Sequence, residues 1–375
     1  MKPHTKLVAM LLAMGPLLGT LVASAVGEED IPFSTREWKT DFSKHSVPLG
    51  EILSGGPPKD GIPAIDNPRF VSLDDADEWI GDREPILVFE YGGVARGYPW
   101  QILLWHEIVN DEVNGQPVAI TYCPLCNTAI AFDRRLGDRR LDFGTTGKLR
   151  HSDLIMYDRQ TESWWQQAVG EAIVGELTGK KLKFLPAPTI SWNDFKLQYP
   201  DGQVLSRDTG YRRNYGDNPY TGYDAGQPFL FRGKADKRLA AMERVVVVAT
   251  DDGTVAYPLK KLEREKVINH EVGDEPVVLF YRKGTASAVD ASRINRGRDI
   301  GTAVVYSRRV GDRTLTFRLE GTDSYRDEQT KSLWSFFGEA SEGPLKNESL
   351  EPVVHYMPFW FAWAAFSPET PVYGL

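Results

Sequence analysis

The sequence predicts an α+β chain, mainly β, built as two tandem related β-meander units with short helices. Three observations carry this prediction. Short β-branched and aromatic runs such as Val118 to Tyr122 and Val277 to Tyr281 read as buried strands. Tight-turn pairs separate them, Asn114-Gly115 in one place and Gly273-Asp274 in another. The chain also repeats itself: displaced by 159 positions, residues 84–130 align with 243–289 without a gap, and twelve of the 47 pairs are identical.

Those identities include Tyr98/Tyr257, Pro99/Pro258, Leu103/Leu262, Asn110/Asn269, Glu112/Glu271, Pro117/Pro276 and Tyr122/Tyr281. The match resumes at an offset of 174, where Arg134 to Arg139 faces Arg308 to Arg313 and Phe143 faces Phe317. Later, Thr161, Ser163 and Trp165 match Thr330, Ser332 and Trp334, and Trp192, Pro200 and Val204 match Trp360, Pro368 and Val372. The expected organisation is a signal peptide over 1–25, a lead-in over 26–83 and a first repeat over 84–207. A Tyr/Gly/Pro-rich linker over 208–242 and a degenerate second repeat over 243–375 complete it.

The N-terminus reads as a secretory signal. Lys2 and Lys6 precede an apolar stretch from Leu7 to Leu18, and Ala23-Ser24-Ala25 offers a small-residue cleavage site. Gly15 and Pro16 interrupt the stretch, which falls short of the ~20 apolar residues of a membrane span. Export to the periplasm or the exterior is expected, with cleavage near Ala25 and no transmembrane segment in the mature chain. At 375 residues the chain exceeds one ordinary domain. Its formal charge of -8, without basic runs, argues against a nucleic-acid partner.

The lead-in is turn-rich from Ser54 to Gly61 and is expected to run extended over the surface, with a short helix in Leu73 to Ile80. Pro99 suits the first turn of a short helix. Strands follow over Glu107 to Val113, Val118 to Tyr122, Thr128 to Arg134 and Arg139 to Phe143. Arg134 and Arg135 read as the solvated face of a hairpin. The linker tyrosines Tyr211, Tyr215, Tyr220 and Tyr223 either pack on the flanking units or line a groove. Phe359 to Phe366 is too short to span a membrane and reads as core.

Chemistry concentrates at Cys123-Pro124-Leu125-Cys126, which holds the only two cysteines of the chain. A disulfide there would close a four-residue loop, worth only roughly 2 kcal/mol. The counterpart in the second repeat, Arg282 to Thr285, reads as a polar turn between strands, so the cysteines flank a hairpin bend. Thioredoxin-type thiols sit instead at a helix N-terminus. A CxxC on a bend resembles the knuckles that present two thiolates to one metal. With a two-residue loop at Asn114-Gly115, the ladder places His106 directly across from Cys123, with Cβ atoms roughly 5 Å apart. The second repeat has Glu265 there, so it lacks the histidine as well as the cysteines.

The first repeat also holds about five extra residues near Leu149 to Tyr157, since Phe143 to Trp165 spans 22 positions and Phe317 to Trp334 spans 17. That stretch contains His151, Asp153 and Met156. The expected ligand set is Cys123, Cys126 and His106, with His151 and Met156 as further donors. This soft, mixed set suits copper, with zinc next. His106 also fits a core histidine, His151 a surface loop, and Met156 simple packing. Asn110 and Glu112 occur in both repeats and are assigned to the fold.

The runs Tyr98-Pro99, His106-Glu107 with Asn110-Asp111, Thr121 to Cys126, and Met156 to Arg159 with Thr161, Ser163 and Trp165 resemble one family. It comprises exported prokaryotic proteins catalogued as domain of unknown function 3179. The resemblance implies that Cys123, Cys126 and His106 belong to a family motif, and it implies no reaction. The leading expectation is an exported metal-thiolate protein in redox or metal handling, with a metal ion and a redox partner protein as partners. A thiol–disulfide oxidoreductase using the CxxC and a non-catalytic binding protein with a small disulfide are the alternatives. If the protein is an enzyme, an oxidoreductase is expected. No phosphate loop or nucleophile triad is readable, and no nucleotide cofactor is expected.

Overall fold

A computed structural model describes residues 31–375, and the expected export signal lies outside the described residues. The architecture is mainly β with short helices. In the first half, Pro85–Tyr91 and Val94–Pro99 form a hairpin, and the chain turns directly into the helix Trp100–His106 with Pro99 as its N-cap. Ile108–Val113, Gln116–Cys123 and Thr128–Asp133 follow as an antiparallel meander, edged by Phe184–Leu185. Asn114 (φ 46°) and Gly115 (φ 81°) both take the left-handed conformation that a two-residue hairpin loop requires, so Val113 pairs with Gln116. Phe143–Arg150 and Asp153–Asp158 form the next hairpin, in a sheet edged by Ile52–Ser54 and continued by Trp164–Gln166 and Glu171–Val174.

The second half carries the same order of elements. Val245–Ala249 and Thr254–Pro258 lead into the helix Leu259–Glu265, followed by Val267–Val272, Glu275–Arg282 and Thr302–Ser307. Matching side chains make matching bonds. The Asn110 amide accepts from the Phe143 N–H (2.9 Å) and donates to the Phe143 carbonyl (2.8 Å), and Asn269 bonds Phe317 in the same two ways at 2.8 Å. Asp158 accepts from the Trp165 indole at 2.9 Å, as Asp327 does from Trp334 at 3.0 Å. The Trp192 N–H donates to the Glu84 carbonyl at 2.9 Å, and Trp360 to Glu243 at 2.7 Å. Asn110→Ala strands both Phe143 groups in the core, so a loss of about 2–3 kcal/mol is expected, read from the urea midpoint.

One hydrophobic core draws on both halves: Leu103, Val118 and Tyr122 belong to the same packed cluster as Val245, Val247, Phe359 and Trp360. The linker is fastened to it. Tyr215, Tyr220 and Tyr223 pack on this core, and Asp224 is paired with Arg244 at 2.9 Å, both side chains being buried.

Several expectations change. The lead-in is woven into the fold rather than laid over it: Trp38 packs edge-on against Trp164, and Gly55 and Asp60 donate to the Gly147 and Thr145 carbonyls. Arg134 is buried and bonded to Asp142 (2.8 Å), whereas its neighbour Arg135 is half exposed. The second-half counterpart of the CxxC bend is not a short polar turn. Residues 283–301 make a long connection, held by bonds to the linker such as Ser287 to Asp224 (2.6 Å) and the Tyr223 N–H to the Val289 carbonyl (3.0 Å). Among the described residues no helix is long and apolar enough to cross a membrane.

Candidate metal-thiolate site

Cys123 is the last residue of its strand and pairs with Thr128, the first of the next. Pro124 to Asn127 make the bend, with Asn127 in the left-handed conformation (φ 55°). The bend is clamped from the second half: the Phe359 N–H donates to the Cys126 carbonyl (2.9 Å) and the Asn127 amide to the Met357 carbonyl (2.7 Å). Both cysteines are buried, free thiols.

The residue that joins them is Asp153, the first residue of its strand. One carboxylate oxygen accepts from the Cys126 thiol at 2.9 Å. The other accepts from the Gln166 amide (2.6 Å) and the Ala168 N–H (2.9 Å). The Cys123 thiol points at the Ser152 carbonyl, 3.5 Å away. One donor atom each from Cys123, Cys126 and Asp153 lie within 4.8 Å of one another, and all three residues are buried. The extra length of the 143–158 hairpin carries Asp153 to the cysteines.

The remaining sequence-derived candidates sit elsewhere. The strand ladder ends at Ile108 opposite Thr121, so it never reaches His106. His106 is the last residue of the helix, and Glu107 leaves that helix at φ 58°, which breaks the extended run needed to set His106 across from Cys123. The buried His106 ring donates from Nδ1 to the Pro63 carbonyl (2.7 Å) and accepts at Nε2 from Tyr215 (2.6 Å). Burial lowers its pKa to about 4, against the pull of the Pro63 bond, so the ring is neutral. His151 lies in the turn before Asp153, donates to the Arg232 carbonyl (3.0 Å) and faces Glu51 at 3.5 Å. Neither histidine belongs to the three-residue group. Met156 is fully buried in the core, paired with Trp165 and Thr145 across its strands.

The electrostatics are those of crowded acids without a base. Burial pushes the Cys126 thiol well above its ordinary range, and Cys123 and Asp153 push it the same way. Burial raises Asp153 to about 6, resisted by its hydrogen bonds. Glu107, which sequence reasoning passed over, rises to about 8 through burial and then the Asp153 charge. A raised carboxyl pKa means that ionisation costs the folded state. That cost is absent below the ordinary carboxylate range and grows as pH rises toward about 6 for Asp153 and about 8 for Glu107. Chelator-stripped protein should therefore lose stability across this window. Glu107→Gln and Asp153→Asn should flatten the profile and raise the urea midpoint near pH 8, a tenfold change in acidity corresponding to about 1.4 kcal/mol. A profile unchanged by either substitution would contradict the assignment.

A family model described as "Protein of unknown function (DUF3179)" matches residues 59–370. No curated protein and no solved structure matches the chain.

Proposed function

We propose a metal-thiolate function for this chain, which belongs to the DUF3179 family. One ion is bound per chain, by Cys123, Cys126 and Asp153. The observation that carries this reading is the convergence of two thiols and a carboxylate, all buried, within 4.8 Å of one another. A tetrahedral zinc with bonds of about 2.0–2.3 Å keeps its donors roughly 3.5–3.8 Å apart, which this cluster reaches with small side-chain adjustments. Ligation also removes the anomaly of the raised acids, because an ion takes thiolates and carboxylates in their charged forms.

The donor set bears on the metal. With a carboxylate in place of the expected imidazole, the site is harder than Cys and His alone would make it. Zinc then becomes the better fit, with copper as the competitor. On this reading the first repeat (84–207) carries the chemistry, and the second repeat and linker brace it. The N-terminal leader of the sequence supports delivery of the protein outside the cytoplasm, where it would handle metal or meet a redox partner.

The second reading is dithiol–disulfide exchange at Cys123 and Cys126, favoured by two free thiols at one bend. Against it stands the burial that raises Cys126 and disfavours the attacking thiolate. Elemental analysis of protein purified from its native compartment, with thiol counting after denaturation, separates the two. One zinc or copper and two titratable thiols support the metal site. A metal-free protein whose cysteines cycle at a measurable potential supports exchange.

A further inference from the structure

We infer that Glu107 serves the open fourth position of the Cys123–Cys126–Asp153 site by holding a water on the bound ion. The inference rests on the metal reading above and adds to it the kind of site: exchangeable rather than closed. Three protein ligands leave one place on a tetrahedral ion, which reactive zinc sites fill with water and structural sites fill with a fourth side chain.

Four observations point to Glu107. Its side chain has no hydrogen bond or ion pair with any described residue, although the residue is only 7% exposed. A buried carboxylate left in that state is costly unless a cation or a donor reaches it. The backbone then fixes where it stands. Glu107 caps the helix Trp100–His106 in the left-handed conformation, and its carbonyl accepts from the Tyr122 N–H at 2.8 Å, one residue before Cys123. Third, it lies near enough to the site for its charge to act on Asp153, and Tyr220 senses both Glu107 and Cys123.

The fourth observation is the second half of the chain. Lys266 occupies the place of Glu107, with φ 66° and the same bond, from the Tyr281 N–H to its carbonyl at 3.0 Å. Arg282 ends its strand opposite Thr302 as Cys123 does opposite Thr128. Lys266, over the Tyr281 ring, and Arg282, paired with Asp194 at 3.2 Å, therefore stand in the second half where Glu107 and Cys123 stand in the first. The same backbone positions carry basic side chains in one half and acidic ones in the other, which is the contrast a bound cation would explain.

Glu107 does not belong to the 4.8 Å set, so it reaches the ion through an intervening molecule. A cavity of about 510 Å³ is lined by Leu104 and Trp105 together with Arg212, Arg213 and Tyr220. Leu104 and Trp105 belong to the helix that Glu107 caps, and on this inference solvent and small anions approach from that side. A carboxylate there would accept a hydrogen bond from such a water and would take up its proton.

The test uses reduced, full-length protein loaded with Co²⁺ and titrated with azide, a small anion that displaces metal-bound water. Wild type should show a saturable change in its cobalt absorption. Glu107→Gln removes a buried charge without loss of volume and so should fold. It should retain a two-sulfur site, bind zinc about 10-fold more weakly, and bind azide more tightly because the neighbouring anion is gone. Glu107→Asp should restore part of the zinc affinity. An azide-silent wild type overturns the open position. Glu107→Gln matching wild type in both readouts overturns the residue assignment. Loss of the ion in Glu107→Gln, as complete as in Cys123→Ser, makes Glu107 a direct ligand and overturns the water. Wild type that takes up no metal by elemental analysis, before any azide is added, overturns the function proposed above and this inference with it.

Discussion

Serine at Cys123 or at Cys126 should leave the reduced chain unable to retain zinc or copper against a competing chelator, while wild type holds one ion per chain. The effect should be near complete, since each thiolate is one of three protein donors and a hydroxyl does not deprotonate to replace it. Asp153→Asn should weaken binding and keep the sulfur signature. His106→Ala should leave the affinity largely unchanged, because both ring nitrogens are bonded to Pro63 and Tyr215. Ligands must lose their protons to bind, so affinity should fall as pH is lowered. The ion should also raise the stability of wild type, by about 4 kcal/mol at a thousandfold excess over Kd, and not that of the double serine variant. Competition titration and paired melts with and without zinc read both. If reduced wild type binds no more tightly than the double serine variant, the metal reading fails.

The largest structural effect is expected at Asp224. It lies in the linker, fully buried, and bonds Arg244 of the second half at 2.9 Å and Ser287 at 2.6 Å. Asp224→Ala strands the Arg244 guanidinium in the core, and about 3–5 kcal/mol of stability should be lost. Asp224→Ala combined with Arg244→Met should recover much of that loss, because the uncompensated charge is then gone. Burial opposes ionisation of Asp224, but Arg244, Ser287 and Arg298 more than offset it, so its pKa is lowered. Its contribution is therefore complete above the ordinary carboxylate range and disappears as pH falls through the lowered folded value. Urea titrations at neutral and acid pH measure both. Arg244 also lies over the Phe359 ring, and the Phe359 N–H holds the Cys126 carbonyl, so the single variant should weaken zinc binding too. Recovery of stability without recovery of zinc affinity would separate the brace from the core.

How much of this could be read beforehand depended on the range of the interaction. The Asn114-Gly115 turn sets its own hairpin through two residues with positive φ, and the register from Val113 to Ile108 follows from it. The bend at Cys123 to Cys126 was legible from its counterpart at Arg282 to Thr285, and it holds although that counterpart is a long connection rather than a tight turn. The helix after Pro99 was legible as well, but not its end. Nothing local in His106-Glu107 announces that a glutamate will adopt φ 58° there, and that one residue moved His106 from the strand face to the Pro63 and Tyr215 bonds.

By itself the sequence determined what lies within a hairpin of its cause: the β-rich class, the register of the Asn114-Gly115 hairpin, the position of the CxxC on a bend, and the parallel between the halves through Asn110, Trp165 and their counterparts. Tertiary structure alone decided the company of the cysteines. Asp153 stands in the extra stretch that the repeat comparison exposed, but only packing of the lengthened hairpin against the CxxC bend selects it over His151 and Met156. Glu107 becomes a candidate only when burial strips it of partners. The physical reason is that periodicity and turn chemistry act along the chain, whereas desolvation and charge pairing act through space. A ligand set is assembled by the second kind of force.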